Sequence, residues 1–177
     1  MFVLALIERV VKYAKEGRSL MAFPQGYNPF ASQEIKVSPA FHELLQDLAR
    51  RGSSDNDGTG SSTAPFKRMI DAWLVAVSLG ASIGIDPPDY SEGDTVKFIQ
   101  GNVLEKDLGA IEFLMALAIA ESGDPYIVEN PKKMMDIAKG FGELGFPKLK
   151  DLVESGYLDR TENIARGLIK TLKADRS

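Results

Sequence analysis

The sequence predicts a mainly α-helical fold: a compact body of about seven helices, with an N-terminal helical segment joined to it by a flexible Gly/Ser/Asp linker. Three observations predict it. Apolar residues recur at three- and four-residue spacing along most of the chain. Helix starts and stops are marked by Ser-Pro, Asn-Pro and Gly punctuation. Alternating apolar and polar runs of strand type are short and few. With 177 residues, 44% of them hydrophobic, the chain is long and apolar enough to bury a sizeable core.

Over Phe2–Glu16 the residues Leu4, Ile7, Val10, Val11 and Ala14 form one helical stripe, and Gly17 is a plausible stop. An apolar run that begins this early must bury itself on the domain or in a partner interface. Residues 18–37, with two prolines and a glycine, read as irregular chain holding a short strand at Glu34–Val37. Ser38 and Pro39 are a cap followed by proline at the first helical position. Phe41, Leu44, Leu45 and Leu48 are the buried stripe of the helix they open, which ends near Arg51.

Residues 52–64 contain no apolar side chain larger than alanine and read as a linker between an N-terminal unit, 1–51, and a body, 65–177. A central helix is expected from Pro65, with Phe66, Met69, Ile70, Trp73, Leu74 and Val77 on one face. The double proline at Pro87–Pro88 closes the connector after it. Residues 95–104, "TVKFIQGNVL", alternate loosely, as a short strand or hairpin edge would. A strongly apolar helix follows from Lys106, with Gly123 as terminator. Asn130 and Pro131 start another helix, striped by Met134, Met135, Ala138, Phe141 and Leu144 and stopped by Gly145. Pro147–Glu154 reads as a separate short helix. Asp159 and Glu162 have capping-box spacing before a last helix, striped by Ile164, Leu168, Ile169 and Leu172.

The bulk numbers exclude some chemistry. No cysteine is present, so disulfides, thiolate catalysis and thiolate metal sites are ruled out. The formal net charge is −4 and the isoelectric point about 5.1, so nucleic-acid binding would need a local basic face. The N-terminal run lacks a basic region ahead of it and meets charge at Glu8 and Arg9, which argues against a secretory signal or a membrane span. The expected location is cytoplasmic.

Each candidate for chemistry has a plainer alternative. Ser53–Ser62, "SSDNDGTGSS", has the look of a calcium loop, with Asp55 and Asp57 one residue apart before Gly58. Such a loop needs oxygen ligands at its first, third and fifth positions, glycine at the sixth and glutamate at the twelfth. With Gly58 sixth, the twelfth residue is Ala64; with Gly60 sixth, the fifth is Thr59 and the twelfth Phe66. Neither register supplies the glutamate, and a solvated tether is favoured. His42, the sole histidine, could serve as a general base, but no nucleophile motif accompanies it, and a structural role is favoured. No phosphate-loop or dinucleotide motif occurs. "KGFGELGF", Lys139–Phe146, lies at a helix end, where a phosphate cradle would have to open a helix. The carboxylates around Glu105–Asp107 and Asp124 fall at helix ends. No cofactor or metal is expected.

Lysines and arginines offer one further possibility. Arg166, Lys170 and Lys173 share a face of the last helix, Lys67 and Arg68 open the central one, and Lys132 and Lys133 open another. Together they could contact DNA phosphates; the plainer alternative is that they solvate helix faces.

From Pro65 to Gly156 the chain resembles the small accessory proteins encoded beside bacterial DNA phosphorothioation (Dnd) genes. The resemblance rests on Pro65 and Phe66 followed by Asp71, Leu79 and Gly80; on an apolar helix closing in Gly123, Asp124 and Pro125; and on a helix running into Gly145 and Phe146, then Leu149 and Leu152. It carries over no catalytic residue. It implies a non-enzymatic accessory protein of a DNA-modification or phage-defence system. Such a protein would act through a partner from the same defence locus or through self-association, with DNA as a possible further ligand. The alternatives are a direct DNA-binding module using the basic helix faces, and an enzyme centred on His42.

Overall fold

The computed structural model describes residues 27–49, 64–89, 94–154 and 159–174, the last four of these as backbone alone. The order is β1 (Glu34–Val37), α1 (Pro39–Ala49), α2 (Met69–Ala81), β2 (Val96–Gln100), a 3-10 turn at Gly101–Leu104, α3 (Leu108–Ser122), a second such turn at Pro125–Glu129, α4 (Pro131–Glu154) and α5 (Arg160–Ala174). The fold is mainly α, with one two-stranded antiparallel ribbon.

α2 and α4 form the centre. Ala76 and Gly80 on α2 face Phe141 and Gly145 on α4, and the two backbones meet where side chains would otherwise hold them apart. A Cβ on Gly80 would strike the Phe141 carbonyl, and one on Gly145 would strike the Ala76 carbonyl. Gly142 sits under the Trp73 indole, and Gly140 under Pro87 and Pro88. These pairings run in opposite senses along the chain, so the two helices are antiparallel. Ile70, Trp73, Ala76 and Val77 from α2 are fully buried, as are Met134 and Leu149 from α4.

The remaining elements pack round this pair. α1 buries Phe41, Leu45 and Leu48, and the Phe41 ring lies 4.6 Å from that of Phe146 on α4. The backbone N–H of Ser38, just ahead of α1, donates to Glu143 Oε1 at 2.7 Å, so a carboxylate from α4 sits at the positive end of α1. In the ribbon, Ile35 pairs with Ile99 and Lys36 with Lys97. Phe98 is therefore the extra residue of a bulge, and its ring lies 6.3 Å from Trp73. Residues 27–49 thus contribute Phe30, Ile35, Val37, Phe41, Leu45 and Leu48 to the same core as the helices from α2 onward. α5 folds back on the end of α4, with Leu152 filling the space that a side chain at Gly167 would need.

Several sequence expectations are met. The helix expected from Lys106 is present, starting at Leu108, where Asp107 caps it by accepting from Ala110 N at 3.2 Å. Gly123 ends that helix at φ 67°, its N–H bonded to Ile119 O at 2.9 Å. Asp159 accepts from Glu162 N at 3.0 Å at the start of α5. Both suggested strands are present.

The helix number is not met: five α-helices stand among the described residues where seven were expected. The helix expected at Phe2–Glu16 lies outside the described residues, and the two expected on either side of Gly145 are one helix of 24 residues. Gly145 does not stop α4. Only Gly84 and Gly123 have positive φ among the described residues, so Gly145 keeps helical backbone and serves the contact with α2. Pro147 follows inside the same helix, where it leaves the Glu143 carbonyl without its usual helical donor. The central helix starts at Met69 and not at Pro65: Arg68 is extended at φ −137°, and Phe66 N instead donates to Leu48 O at 3.2 Å. Most of the expected linker, and the whole of Ser53–Ser62, lie outside the described residues.

Candidate interaction surfaces

The basic residues fall in three places. Lys67 and Arg68 precede α2. Lys67 is exposed, while Arg68 is held: its guanidinium donates to Asp71 Oδ1 through Nε at 3.0 Å and to Asp107 Oδ2 through Nη2 at 3.1 Å. The hydrogen bond to Asp71, helped by Asp107, raises the Arg68 pKa still further and keeps the group charged. This contact also links the residue before α2 to the residue before α3.

Lys132 and Lys133 are exposed on the first turn of α4, which is capped by Asn130 Oδ1 accepting from Lys133 N at 3.0 Å. They lie at the opposite end of the helical layer from Arg68. Arg68 touches the first residue before α3, the lysines come after its end, and α3 with its 15 residues is about 22 Å long. Arg166 and Lys170 are exposed on α5, with Arg166 Nη2 paired to Glu162 at 2.7 Å. The Lys173 side chain lies outside the described residues. The structure therefore groups Lys67 with Arg68 and Lys132 with Lys133, and leaves the two groups about one helix length apart.

The acidic candidates at helix ends work as caps: Asp107 for α3, and Asp124 for the following turn, where it accepts from Tyr126 N at 2.9 Å. His42 is half-buried on α1, with Nε2 3.4 Å from Gln46 Nε2 on the next turn. Among the described residues no three His, Asp or Glu side chains are placed to hold a metal ion, and no helix is long and apolar enough to cross a membrane.

Glu121, near the end of α3, has its pKa raised, first by partial burial and then by the negative charge of Asp86 in the loop after α2. Arg68 and Asp107 join the residues just ahead of α2 and α3, while both helices pack on α4. Trp73 Nε1 is fully buried with no acceptor in reach, against Gly142.

Sequence reasoning missed the exposed apolar residues. Tyr126 is 73% exposed and Ile85 54% exposed. Ile85 lies in the loop leaving α2 and Tyr126 in the turn leaving α3, so both belong to the end of the layer where α4 begins. Leu108, at the start of α3, and Ile169, on α5, are also more than half exposed. A tyrosine directly after Asp-Pro, in a turn too short to bury it, was the available signal for Tyr126.

The fold and these surfaces define a mainly α-helical protein that exposes Ile85 and Tyr126 at the same end of its helices as Lys132 and Lys133. No protein-family model, curated protein or solved structure matches the chain.

Proposed function

We propose that the protein is a non-enzymatic accessory protein of a bacterial DNA-modification or phage-defence system, working by contact with a protein from the same locus or with itself. The resemblance over Pro65–Gly156 supplies the setting. The observation that carries a contact role is the pair of exposed apolar residues, Ile85 and Tyr126, at one end of the α2–α3–α4 layer. Exposed aromatic side chains beside aliphatic ones are the usual anchors of protein interfaces. The test is co-expression with each protein of a DNA phosphorothioation locus, followed by size-exclusion chromatography. A stable complex is expected, weakened at least tenfold by Tyr126→Glu together with Ile85→Glu. Elution as a lone monomer in every combination overturns the proposal.

A second reading, direct DNA contact, is favoured by Lys132 and Lys133. Two exposed lysines on the first turn of a helix oppose its dipole, an arrangement that costs a few tenths of a kcal/mol unless an anion is bound. Duplex or single-stranded DNA binding that falls steeply with salt, and falls further in Lys132→Glu/Lys133→Glu, is the expected result under this reading. No binding at low salt removes it.

A further inference from the structure

The end of the molecule that exposes Ile85 and Tyr126 is short of positive charge. α2 and α3 both finish there, and neither carries a lysine or arginine in its last turn, where a cation would offset the negative end of the helix dipole. The loop after α2 brings Asp86 and is seated on α4 by Pro87 and Pro88, which lie over Gly140. α3 brings Glu121, and the turn after it brings Asp124 and Glu129. Asp86 is near enough to Glu121 for its charge to be felt there, adding to the effect of partial burial on the Glu121 carboxyl. Among the described residues none of these four carboxylates is in an ion pair. Against them stand Lys132 and Lys133 on the first turn of α4, which leaves the end two charges negative. Lys139, further along α4, is already paired with Asp136 at 2.6 Å.

The exposed apolar residues lie within this charge. Ile85, 54% exposed, adjoins Asp86, and Tyr126, 73% exposed, falls between Asp124 and Glu129. An occupant has to bring apolar surface for the first pair and positive charge for the carboxylates round it. DNA is a polyanion and meets the wrong sign. A second copy laid symmetrically on the same end sets four carboxylates against four.

We infer that this end of the molecule takes a basic segment of a protein partner, with an apolar side chain seated on Ile85 and Tyr126 and lysine or arginine reaching Asp86, Glu121, Asp124 and Glu129. This rests on the proposed contact role of Ile85 and Tyr126 and adds the chemistry of the partner.

The probe is a library of random peptides displayed on phage and selected against the full-length protein. Enriched peptides are expected to combine an aromatic or aliphatic residue with several lysines or arginines, and to be lost when the target is Ile85→Ser/Tyr126→Ser. One such peptide is then synthesised and its Kd measured by fluorescence anisotropy at low salt. Asp86→Asn with Glu121→Gln should weaken it about tenfold. Glu105→Gln with Glu112→Gln, the same change of charge at exposed positions toward the start of α3, should leave it unchanged. Enriched peptides that are acidic or uncharged overturn the inference; if they too are lost from Ile85→Ser/Tyr126→Ser, the contact role stands without it. Basic peptides that still bind Ile85→Ser/Tyr126→Ser overturn it by placing the site elsewhere. Equal weakening by the two pairs of carboxylate changes overturns it as well, since the attraction is then to net charge alone. An absence of any enrichment also overturns it, while co-expression with proteins of the locus decides the contact role separately.

Discussion

Gly145→Ala probes the contact on which the fold is centred. The added Cβ would fall on the Ala76 carbonyl, with Ala76 C and Gly80 N both at 2.7 Å. All three obstructing atoms are backbone, so no side-chain rotation relieves the overlap; α2 and α4 have to separate. Overpacking of this kind costs about 1–3 kcal/mol, and rigid backbone neighbours place it near the upper figure. Alanine recovers about 1 kcal/mol of helix propensity over glycine, leaving a net loss of about 2 kcal/mol. For a chain of this size that is a fall of about 4–8 °C in Tm. Equilibrium denaturation with an unchanged m-value is the assay. Gly109→Ala is the internal control: it lies exposed near the start of α3, and the nearest atom to its added Cβ, Asp107 Oδ1, is 4.0 Å away. That variant should be as stable as the parent or gain up to about 0.5 kcal/mol. Gly80→Ala should resemble Gly145→Ala, and the double variant should lose less than the sum, because both open the same gap. If Gly145→Ala matches or exceeds the parent, the backbones are not in contact and the reasoning fails.

Two further outcomes follow from named side chains. Glu143→Ala leaves the Ser38 N–H without its acceptor and removes a negative charge from the start of α1; a loss of about 1–2 kcal/mol is expected, with faster hydrogen exchange at Ser38, and Glu143→Gln should recover part of it. Glu121 has a raised pKa, so the folded state binds its proton more tightly than the unfolded chain does. Its contribution is fully present below the ordinary glutamate range and is lost as pH rises through the raised value. Glu121→Gln should therefore have a higher Tm than the parent at about pH 7, with the difference closing toward about pH 4, and a pH-independent difference would contradict the assignment.

How far the sequence foretells this molecule depends on whether the reason for a residue lies near it in the chain. Caps are local, and Asp107, Gly123 and Asp159 act as their neighbours imply. Gly145 has its reason on another helix. Read along one segment it resembles a stop; read against α2 it is one half of a close contact whose other half is Gly80, 65 positions earlier. The signal was a pair of small residues four apart, Ala76 and Gly80, with glycines repeated at Gly140, Gly142 and Gly145 on a second apolar run. The surface follows the same division. Exposed lysines are visible in a sequence, but the carboxylates that hold Arg68 come from two helices, one of them 39 residues away. The Arg68–Asp107 bridge joins the residues just ahead of α2 and α3, and Lys67 stands about a helix length from Lys132 and Lys133. That spacing bears on both functional readings at once. A DNA surface built from all of the basic residues would have to reach across the whole layer, whereas Ile85 and Tyr126 need only the single end they share.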